Sequence, residues 1–335
     1  MKLAIVILNW NGKGFLEQFL PSVVKHADGA EIWIIDNAST DDSVSFIKNT
    51  YPTIGIIQNP ENGGFAKGYN DGLQSIHADT YILLNSDIEV TPGWIQPIRS
   101  LMEKDSEILA CQPKVKAYHN KEYFEHAGAA GGLMDKYGYT FCRGRIFAET
   151  EKDTGQYENN QEIFWATGAC LFIRAKAFHE NGGFDADFFA HMEEIDLCWR
   201  LKNQGGKIWY CAESTVYHVG GGTLDYGSPR KTFLNFRNSL YTITKNERAR
   251  PLVFHLYRRL LLDGIAAVKF LFSLQFRHMW AVGKAHYNFF WKFRSMLKKR
   301  KQLGKNLAIN DAGSFNGSIV WQAFAKGKKR YSELD

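Results

Sequence analysis

Cysteine is scarce in this chain of 335 residues, and its pattern argues against two architectures. Cys111, Cys142, Cys170, Cys198 and Cys211 are odd in number, scattered, and form no CxxC pair. That distribution supports neither a disulfide framework nor a zinc site, and reads as reduced packing residues in a reducing compartment. Two phosphate-binding signatures are missing as well. No Gly-Lys-Ser/Thr closes a glycine loop, and no GxGxxG follows the first strand, which argues against a P-loop NTPase and a dinucleotide oxidoreductase. No clean apolar window of about 18–20 residues exists, so a membrane-spanning helix is not expected. Internal repeats and low-complexity stretches are also absent. The apolar run Met1 to Leu8 is too short for a signal peptide and no small-residue cleavage site follows it. It is expected to be the first strand, and the protein to stay on the cytoplasmic side.

What is present is a globular composition, 45% hydrophobic and 23% charged, long enough for one large core or two domains. The net charge of +6 hides an asymmetry. Residues 1–250 carry 25 Lys+Arg against 31 Asp+Glu, whereas residues 251–335 carry 16 against 4. A near-neutral body followed by a basic tail points to an anionic membrane surface or nucleic acid as partner. No nucleic-acid module accompanies the charge, so nucleic acid is the weaker reading.

Along the chain, Leu3 to Leu8 is an unbroken aliphatic run, as expected of a strand buried on both faces. Phe15, Leu16, Phe19, Leu20 and Val23 then recur at helical spacing. Glu31 to Ile35, Ile54 to Ile57 and Tyr81 to Leu84 read as further strands, with a helix after Asp41 capped by Ser39 or Asp41. Strands alternating with helical patterns predict an α/β fold with a mainly parallel, Rossmann-like sheet flanked by helices.

The stretch that organises the chain is Tyr81-Ile82-Leu83-Leu84-Asn85-Ser86-Asp87-Ile88-Glu89-Val90. A buried strand runs straight into oxygen-bearing side chains suited to a hard cation such as Mg²⁺ or Mn²⁺. Alone, this is equally a solvated turn. Three strands, however, end in polar clusters (Asn9; Asp36-Asn37; Asn85-Ser86-Asp87), and in open α/β sheets ligands bind at that edge. Asp36 suits a ribose hydroxyl or a nucleobase N–H, or simply an Asx-turn. The glycine-rich loop through Asn62, Gly63, Gly64, Phe65, Ala66, Lys67 and Gly68 allows close backbone approach to a ligand.

The second half carries Phe164-Trp165-Ala166-Thr167-Gly168-Ala169, a loop entering a strand, and then His191-Met192-Glu193-Glu194-Ile195-Asp196 to Arg200. On a helix, Glu193, Asp196 and Arg200 share a face, with Glu194 about 100° away. Three close carboxylates repel, which would raise one pKa towards the range of a proton acceptor; the competing reading is an Asp196–Arg200 ion pair with solvated glutamates. His218, in Tyr217-His218-Val219-Gly220-Gly221-Gly222-Thr223, is a metal ligand or a packed histidine.

Assembled, these pieces resemble the family 2 inverting glycosyltransferases, especially the rhamnosyltransferase-like branch, over roughly residues 2–245. The match rests on five ordered pieces, Ile5 to Asn11, Ile35 to Asp41, Asn62 to Gly68, Leu83 to Asp87, and Gly183 to Arg200. The resemblance implies a GT-A fold, with residues 1–110 as the nucleotide-sugar half and residues 111–245 as the acceptor half carrying the catalytic base. By the same resemblance, Asn9, Asp36, Asn37, Asn62, Gly64, Phe65, Lys67, Gly68, Asn85 and Ser86 are donor-binding. Trp165, Thr167, Gly168 and Ala169 are acceptor-binding, and Asp87 and His218 hold a divalent metal. Glu193-Glu194 matches the family's Glu-Asp pair, whose second acid is the base. Glu194, Glu193 and Asp196 all stay open for that role, with Glu194 preferred. Asn85 departs from a strict DxD motif, and Glu194 from the usual Asp. The implied reaction is a metal-assisted single displacement with inversion, from a dTDP-, UDP- or GDP-sugar to a glycan or lipid-linked acceptor of a cell-surface polysaccharide. A non-catalytic, membrane-docked sugar-nucleotide-binding protein and a nucleotidyltransferase are the alternatives. The latter usually opens with a basic glycine loop where this chain has Asn9-Trp10-Asn11-Gly12.

Residues 246–335 form a basic, amphipathic helical tail. Leu256, Leu260, Ala267, Phe270, Leu271 and Leu274, with Lys298 to Lys301 beyond, predict helices lying on the inner face of the plasma membrane. Packing on the body, or a homodimer interface, is the competing reading. Residues 131–154 are expected to be a mobile stretch near the acceptor.

Overall fold

A computed structural model describes residues 1–220, 227–304 and 308–334. Gly221, Gly222 and Thr223 of the predicted glycine run therefore lie outside the described residues. In chain order the strands are β1 (Leu3–Asn9), β2 (Glu31–Asp36), β3 (Gly55–Gln58), β4 (Thr80–Asn85), β5 (Ile88–Val90) and β6 (Ile108–Ala117). Then come β7 (Gly132–Asp135), β8 (Thr140–Cys142), β9 (Arg145–Ile146), β10 (Glu149–Thr150), β11 (Gln161–Glu162), β12 (Cys170–Arg174), β13 (Lys207–His218) and β14 (Ser314–Phe315). The α-helices are α1 (Lys13–Lys25), α2 (Ser43–Thr50), α3 (Gly64–Gly72), α4 (Ile95–Lys104), α5 (Ala175–Glu180) and α6 (Glu193–Lys202). Three long ones follow: α7 (Pro229–Asn246), α8 (Leu252–Phe272) and α9 (Phe276–Gln302).

The main sheet runs β11-β13-β6-β12-β4-β1-β2-β3, with β5 also on β13. Strands β3, β2, β1 and β4 are parallel; β12 is antiparallel to both of its neighbours. Strand order reverses at β1, with β2 and β3 to one side and β4 to the other. That reversal opens a crevice beyond the carboxyl ends of the strands. The aliphatic run of β1 is buried on both faces as its sequence requires. Leu3, Ile5 and Ile7 pack with Leu16 and Leu20 of α1, while Ala4 and Val6 pack on the opposite face with Ala66 and Tyr69 of α3.

Residues 131–154, expected to be a mobile stretch, carry four short strands. Strands β7 to β10 form a second sheet, in the order β10-β9-β8-β7-β14, over a small core of Leu133, Phe141, Ile146 and Ile319. Its last strand comes from the chain's C-terminal region. Short strands completed by a partner almost 180 positions away give no local signal.

The tail packs on the body. Helix α9 buries Ala281, Val282, Ala285, Phe289 and Met296, and Tyr241 of α7 donates to Asn288 Oδ1 at 2.7 Å. Helix α8 docks through Arg259, which donates to Asp263 Oδ1 at 2.9 Å and to the Gly138 carbonyl at 3.0 Å. The stripe expected to face lipid divides: Leu256 is buried and Leu260, Ala267 and Phe270 are half-buried, whereas Leu271 and Leu274 at its C-terminal end are exposed. A different row, described below, faces outward. No helix among the described residues is long and apolar enough to cross a membrane.

Candidate active site

Parallel pairing sets the polar strand ends side by side. Asn9 is in register with Asp36, and Leu8 with Asn85. Asn9 Nδ2 donates to Asp36 Oδ1 and to Ser39 Oγ, each at 3.1 Å, and the Ser39 amide donates to Asp36 Oδ2 at 3.0 Å. Asn9 and Asp36 are thus nearly fully buried, and the Asx-type turn proposed for Asp36 is formed. Asn9 Oδ1 is buried and lacks a hydrogen-bond partner.

Asn37 and Asn59 tie the glycine loop to the end of β2. Asn37 Nδ2 donates to Asn62 Oδ1 (2.9 Å) and to the Gly64 carbonyl (3.1 Å), while Asn59 Nδ2 donates to Asn37 Oδ1 and the Gly68 carbonyl, both at 3.1 Å. Gly68 is needed because an added Cβ would lie 3.0 Å from the Asn37 amide. Lys67 faces solvent and pairs with Asp71 at 2.6 Å and Glu61 at 3.4 Å.

Across the crevice, β13 ends beside the Asp87 turn. Val219 N donates to the Asp87 carbonyl at 3.1 Å, and His218 pairs with Ile88 of β5. His218 Nε2 lies 3.2 Å from Asp87 Oδ1 and 3.4 Å from Asn85 Nδ2, and its Nδ1 lies 3.1 Å from Glu125 Oε2. Burial opposes the imidazolium, but Asp87 and Glu125 outweigh it and hold the ring's pKa up at about 10. To serve as a metal ligand the ring must lose this proton. Glu125 was not singled out from the sequence, since 93 positions separate it from His218 and it sits in no motif.

These residues fit a divalent cation of a particular kind. Among the described residues no cluster of three or more His, Cys, Asp or Glu side chains could hold an ion unaided. Asp87 and His218 Nε2 offer two donors on one side, with Glu125 orienting the histidine from behind, as carboxylates commonly do behind metal-bound histidines. A Mg²⁺ or Mn²⁺ site that takes its remaining ligands from substrate phosphates and water needs no more than this.

The three candidate bases separate clearly. Asp196 is fully buried and committed: Arg200 Nε donates to it at 2.9 Å, Lys245 Nζ at 2.8 Å and Asn246 Nδ2 at 2.8 Å. The proposed Asp196–Arg200 pair is therefore present, but the glutamates are not solvated. Glu193 is buried, and burial followed by the neighbouring Glu194 charge pushes its carboxyl well above the usual range. Glu194 is half-buried at the N-terminus of α6. Burial raises its carboxyl to about 7, against the lowering pull of backbone hydrogen bonds at residues 194, 195, 168 and 192. Desolvation, more than mutual repulsion, is the larger cause in both. Oε2 of each glutamate is buried without a hydrogen-bond partner.

Gly168 brings the two halves together. A Cβ there would sit 3.3 Å from Phe65 Cζ of the glycine loop and 3.6 Å from Glu194 Cβ. Of the four positions expected to bind acceptor, Gly168 sits against the Glu194 side chain. Trp165 is buried and donates to the Leu133 carbonyl at 3.0 Å; Thr167 and Ala169 are buried as well.

The segment before α6 holds unusual backbone. Phe189, His191 and Met192 all have positive φ (66°, 68° and 74°), a conformation that costs non-glycine residues energy. Helix α7 holds it in place: Asn238 Nδ2 donates to the carbonyls of Phe188, Ala190 and His191 at 3.1, 3.0 and 2.7 Å. The Phe189 carbonyl in turn accepts from Phe65 N at 2.8 Å, joining the strained turn to the glycine loop.

The sequence model of the family described as "Glycosyl transferase family 2" matches residues 4–182. An N-acetylglucosaminyl-diphospho-decaprenol L-rhamnosyltransferase of Mycobacterium tuberculosis is 24% identical over 233 residues, covering 64% of this chain and 75% of that protein. The low-salt glycan biosynthesis hexosyltransferase Agl10 of Haloferax volcanii is 21% identical over 242 residues, covering 70% and 73%. Among solved structures, GalNAc-T7 with UDP, GalNAc and Mn²⁺ superposes with a TM-score of 0.59 at 20% identity, over 73% of this chain and 48% of that one. The mannosyltransferase PcManGT of Pyrobaculum calidifontis, in complex with GDP-Man and Mn²⁺, superposes at 0.54 and 12% identity, over 90% and 84%. These structural likenesses show the fold: an α/β sheet of the glycosyltransferase kind flanked by helices, with a C-terminal helical region.

Proposed function

The chain belongs to glycosyl transferase family 2, and from that membership we propose an inverting transferase in cell-surface polysaccharide synthesis. The donor is a nucleoside-diphosphate sugar, with rhamnose the leading sugar, and the acceptor is a hydroxyl of a lipid-linked glycan. The names of the relatives support the sugar and the acceptor; the chemistry is argued from the site.

The observation that carries this reading is the position of Glu194. It lies at the N-terminus of α6, against Gly168, with the Phe65 ring beside the same face of that glycine and a buried, unpartnered carboxylate oxygen. Its pKa near 7 leaves a substantial fraction ionised at neutral pH, which suits a general base. Glu193, held more strongly protonated, and Asp196, spent on three donors, suit the role less.

In the proposed step the acceptor oxygen bonds to the anomeric carbon from the face opposite the leaving group. The carbon–oxygen bond to the diphosphate breaks with its electron pair leaving on the nucleoside diphosphate, and Glu194 takes the acceptor proton. Asp87 and His218 are the residues that would hold a divalent cation, which when bound supplies positive charge to the departing diphosphate. Asn9, Asp36, Asn37 and Asn59 build the rigid loop edge on which the nucleotide rests.

The test uses the full-length protein with dTDP-, UDP- and GDP-sugars, with and without Mn²⁺, and NMR of the product. Transfer with inverted anomeric configuration, lost in Glu194→Gln while donor binding persists, is the expected result. A product of retained configuration would sink the direct displacement. Unchanged transfer by Glu194→Gln would sink the assignment of the base.

A further inference from the structure

Helix α8 is folded inside out for a helix in water. Its polar residues His255, Arg259 and Asp263 face the protein body at 4% exposure or less. Phe254, Tyr257, Leu261, Ile265, Val268 and Phe272 face outward at 51–81% exposure. With 3.6 residues per turn these six fall within an arc of about 80°. The adjoining α9 exposes a second row, Phe276, Trp280, Tyr287, Phe290 and Trp291, at 52–75%. Two such rows of exposed apolar side chains on neighbouring helices mark a place that something covers.

The charges around it say what. Exposed Arg258, Lys269, Arg277, Lys284, Lys292 and Arg294 accompany the two rows. The one acid in either helix is Asp263, which is buried. Two copies meeting through this face would set like charges against each other, whereas an anionic lipid surface is complementary to it. Aromatic and basic residues bordering an aliphatic row also match the headgroup–acyl boundary, where Trp, Tyr, Lys and Arg are favoured.

We propose that the outward face of α8 and the first half of α9 dock into the surface of an anionic bilayer without crossing it. The inference rests on the helix faces and holds whatever the transferred sugar. It also fits an acceptor carried on a lipid, because α9 reaches the turn before the catalytic helix: Lys299 Nζ lies 2.5 Å from Asp185 Oδ1 and 2.6 Å from Asp187 Oδ2.

The experiment is vesicle flotation of the full-length protein with phosphatidylglycerol-containing and with pure phosphatidylcholine vesicles, alongside sedimentation velocity without lipid. Binding to the anionic vesicles, weakened by salt, is the expected result. Phe254→Glu with Ile265→Glu should lower vesicle affinity by about a hundred-fold or more. Arg258→Gln with Lys269→Gln should lower it by about thirty-fold. All four side chains are exposed, so an unchanged thermal unfolding midpoint and unchanged donor binding check that the fold is intact. The proposal is overturned if neither vesicle is bound, or if the wild type self-associates and Phe254→Glu/Ile265→Glu makes it monomeric with no vesicle binding by either.

Discussion

Lys245 Nζ of α7 lies 2.8 Å from Asp196 Oδ2 of α6, and the same nitrogen lies 2.6 Å from Asp185 Oδ2. One buried ammonium therefore fixes both ends of the strained turn that leads into Glu194. Removing it leaves two buried carboxylates short of a partner, the costly way to break an ion pair. Lys245→Met is expected to lower stability by about 3 kcal/mol, measured by urea unfolding. If it costs no more than an exposed lysine does, the bracing role is wrong. Acid should have a related effect. Burial raises the Asp185 pKa, but Lys245 and Lys299 more than reverse that and hold it well below the ordinary value. Its stabilising contribution is full above that ordinary value and is lost as pH falls towards the depressed one.

The reaction should depend on pH through Glu194. A general base works as the carboxylate, so kcat is expected to rise with pH through about 7 and level off above it. Stability carries the opposite sign. With the folded pKa raised, the contribution is full below the ordinary carboxylate value and is lost as pH climbs through about 7. Glu194→Gln should remove the kcat trend and the Glu194 share of the stability trend, leaving the share of Glu193, while donor binding stays. A kcat profile flat between pH 5 and 9 would exclude this residue as the base; that range is set by its raised pKa of about 7.

Much of the first four strands is legible in sequence because local signals there agree. Unbroken aliphatic runs gave β1, β2 and β4, and the polar ends of those runs gave the site's edge. The carboxylates Glu193, Glu194 and Asp196 are adjacent in sequence, so their grouping was legible, but their division of labour was not. Lys245 and Asn246, which claim Asp196, come from a helix about 50 positions away. Trp165 and Thr167 resembled acceptor contacts; both are buried, Trp165 bonded to the Leu133 carbonyl of the small sheet and the Thr167 amide to Gln112 Oε1. That sheet is closed by Ser314–Phe315, and pairing at such distance leaves no periodic trace. On α8 the period was visible, but Leu256 and Leu260 turn inward beside the Arg259–Asp263 ion pair, while Leu271 faces out as expected.

Behind the Asp87–His218 pair, Glu125 is a positioning residue. Its Oε2 lies 3.1 Å from His218 Nδ1, the ring nitrogen turned away from Asp87. Outer-shell carboxylates of this type change metal affinity by about 10–100-fold on substitution. Glu125→Gln is therefore expected to weaken Mn²⁺ binding by that factor in the presence of nucleoside diphosphate, read by electron paramagnetic resonance of free Mn²⁺. Glu194→Gln, which leaves this cluster alone, should bind Mn²⁺ as the wild type does. Equal affinity in Glu125→Gln and wild type would show that Asp87 and His218 are positioned without it.

Gly64 is where the glycine loop meets the strained turn. Its φ is +75°, and a Cβ there would lie 2.6 Å from the Phe189 carbonyl oxygen, the acceptor for Phe65 N. Left-handed backbone costs an L-residue about 1–2 kcal/mol, and here the neighbour that must give way is backbone rather than a flexible side chain. Gly64→Ala should therefore lower stability by at least that amount and loosen the Phe65–Phe189 link. Because that link joins the donor loop to the turn entering α6, KM for the nucleotide sugar should rise and kcat should fall. Gly29 has a similar φ of +80° but nothing within 4 Å of its would-be Cβ, so Gly29→Ala carries only the backbone strain. Comparing the two by thermal unfolding and steady-state kinetics separates strain from contact. If both lose stability equally and neither changes kcat, the junction does not transmit anything to the base.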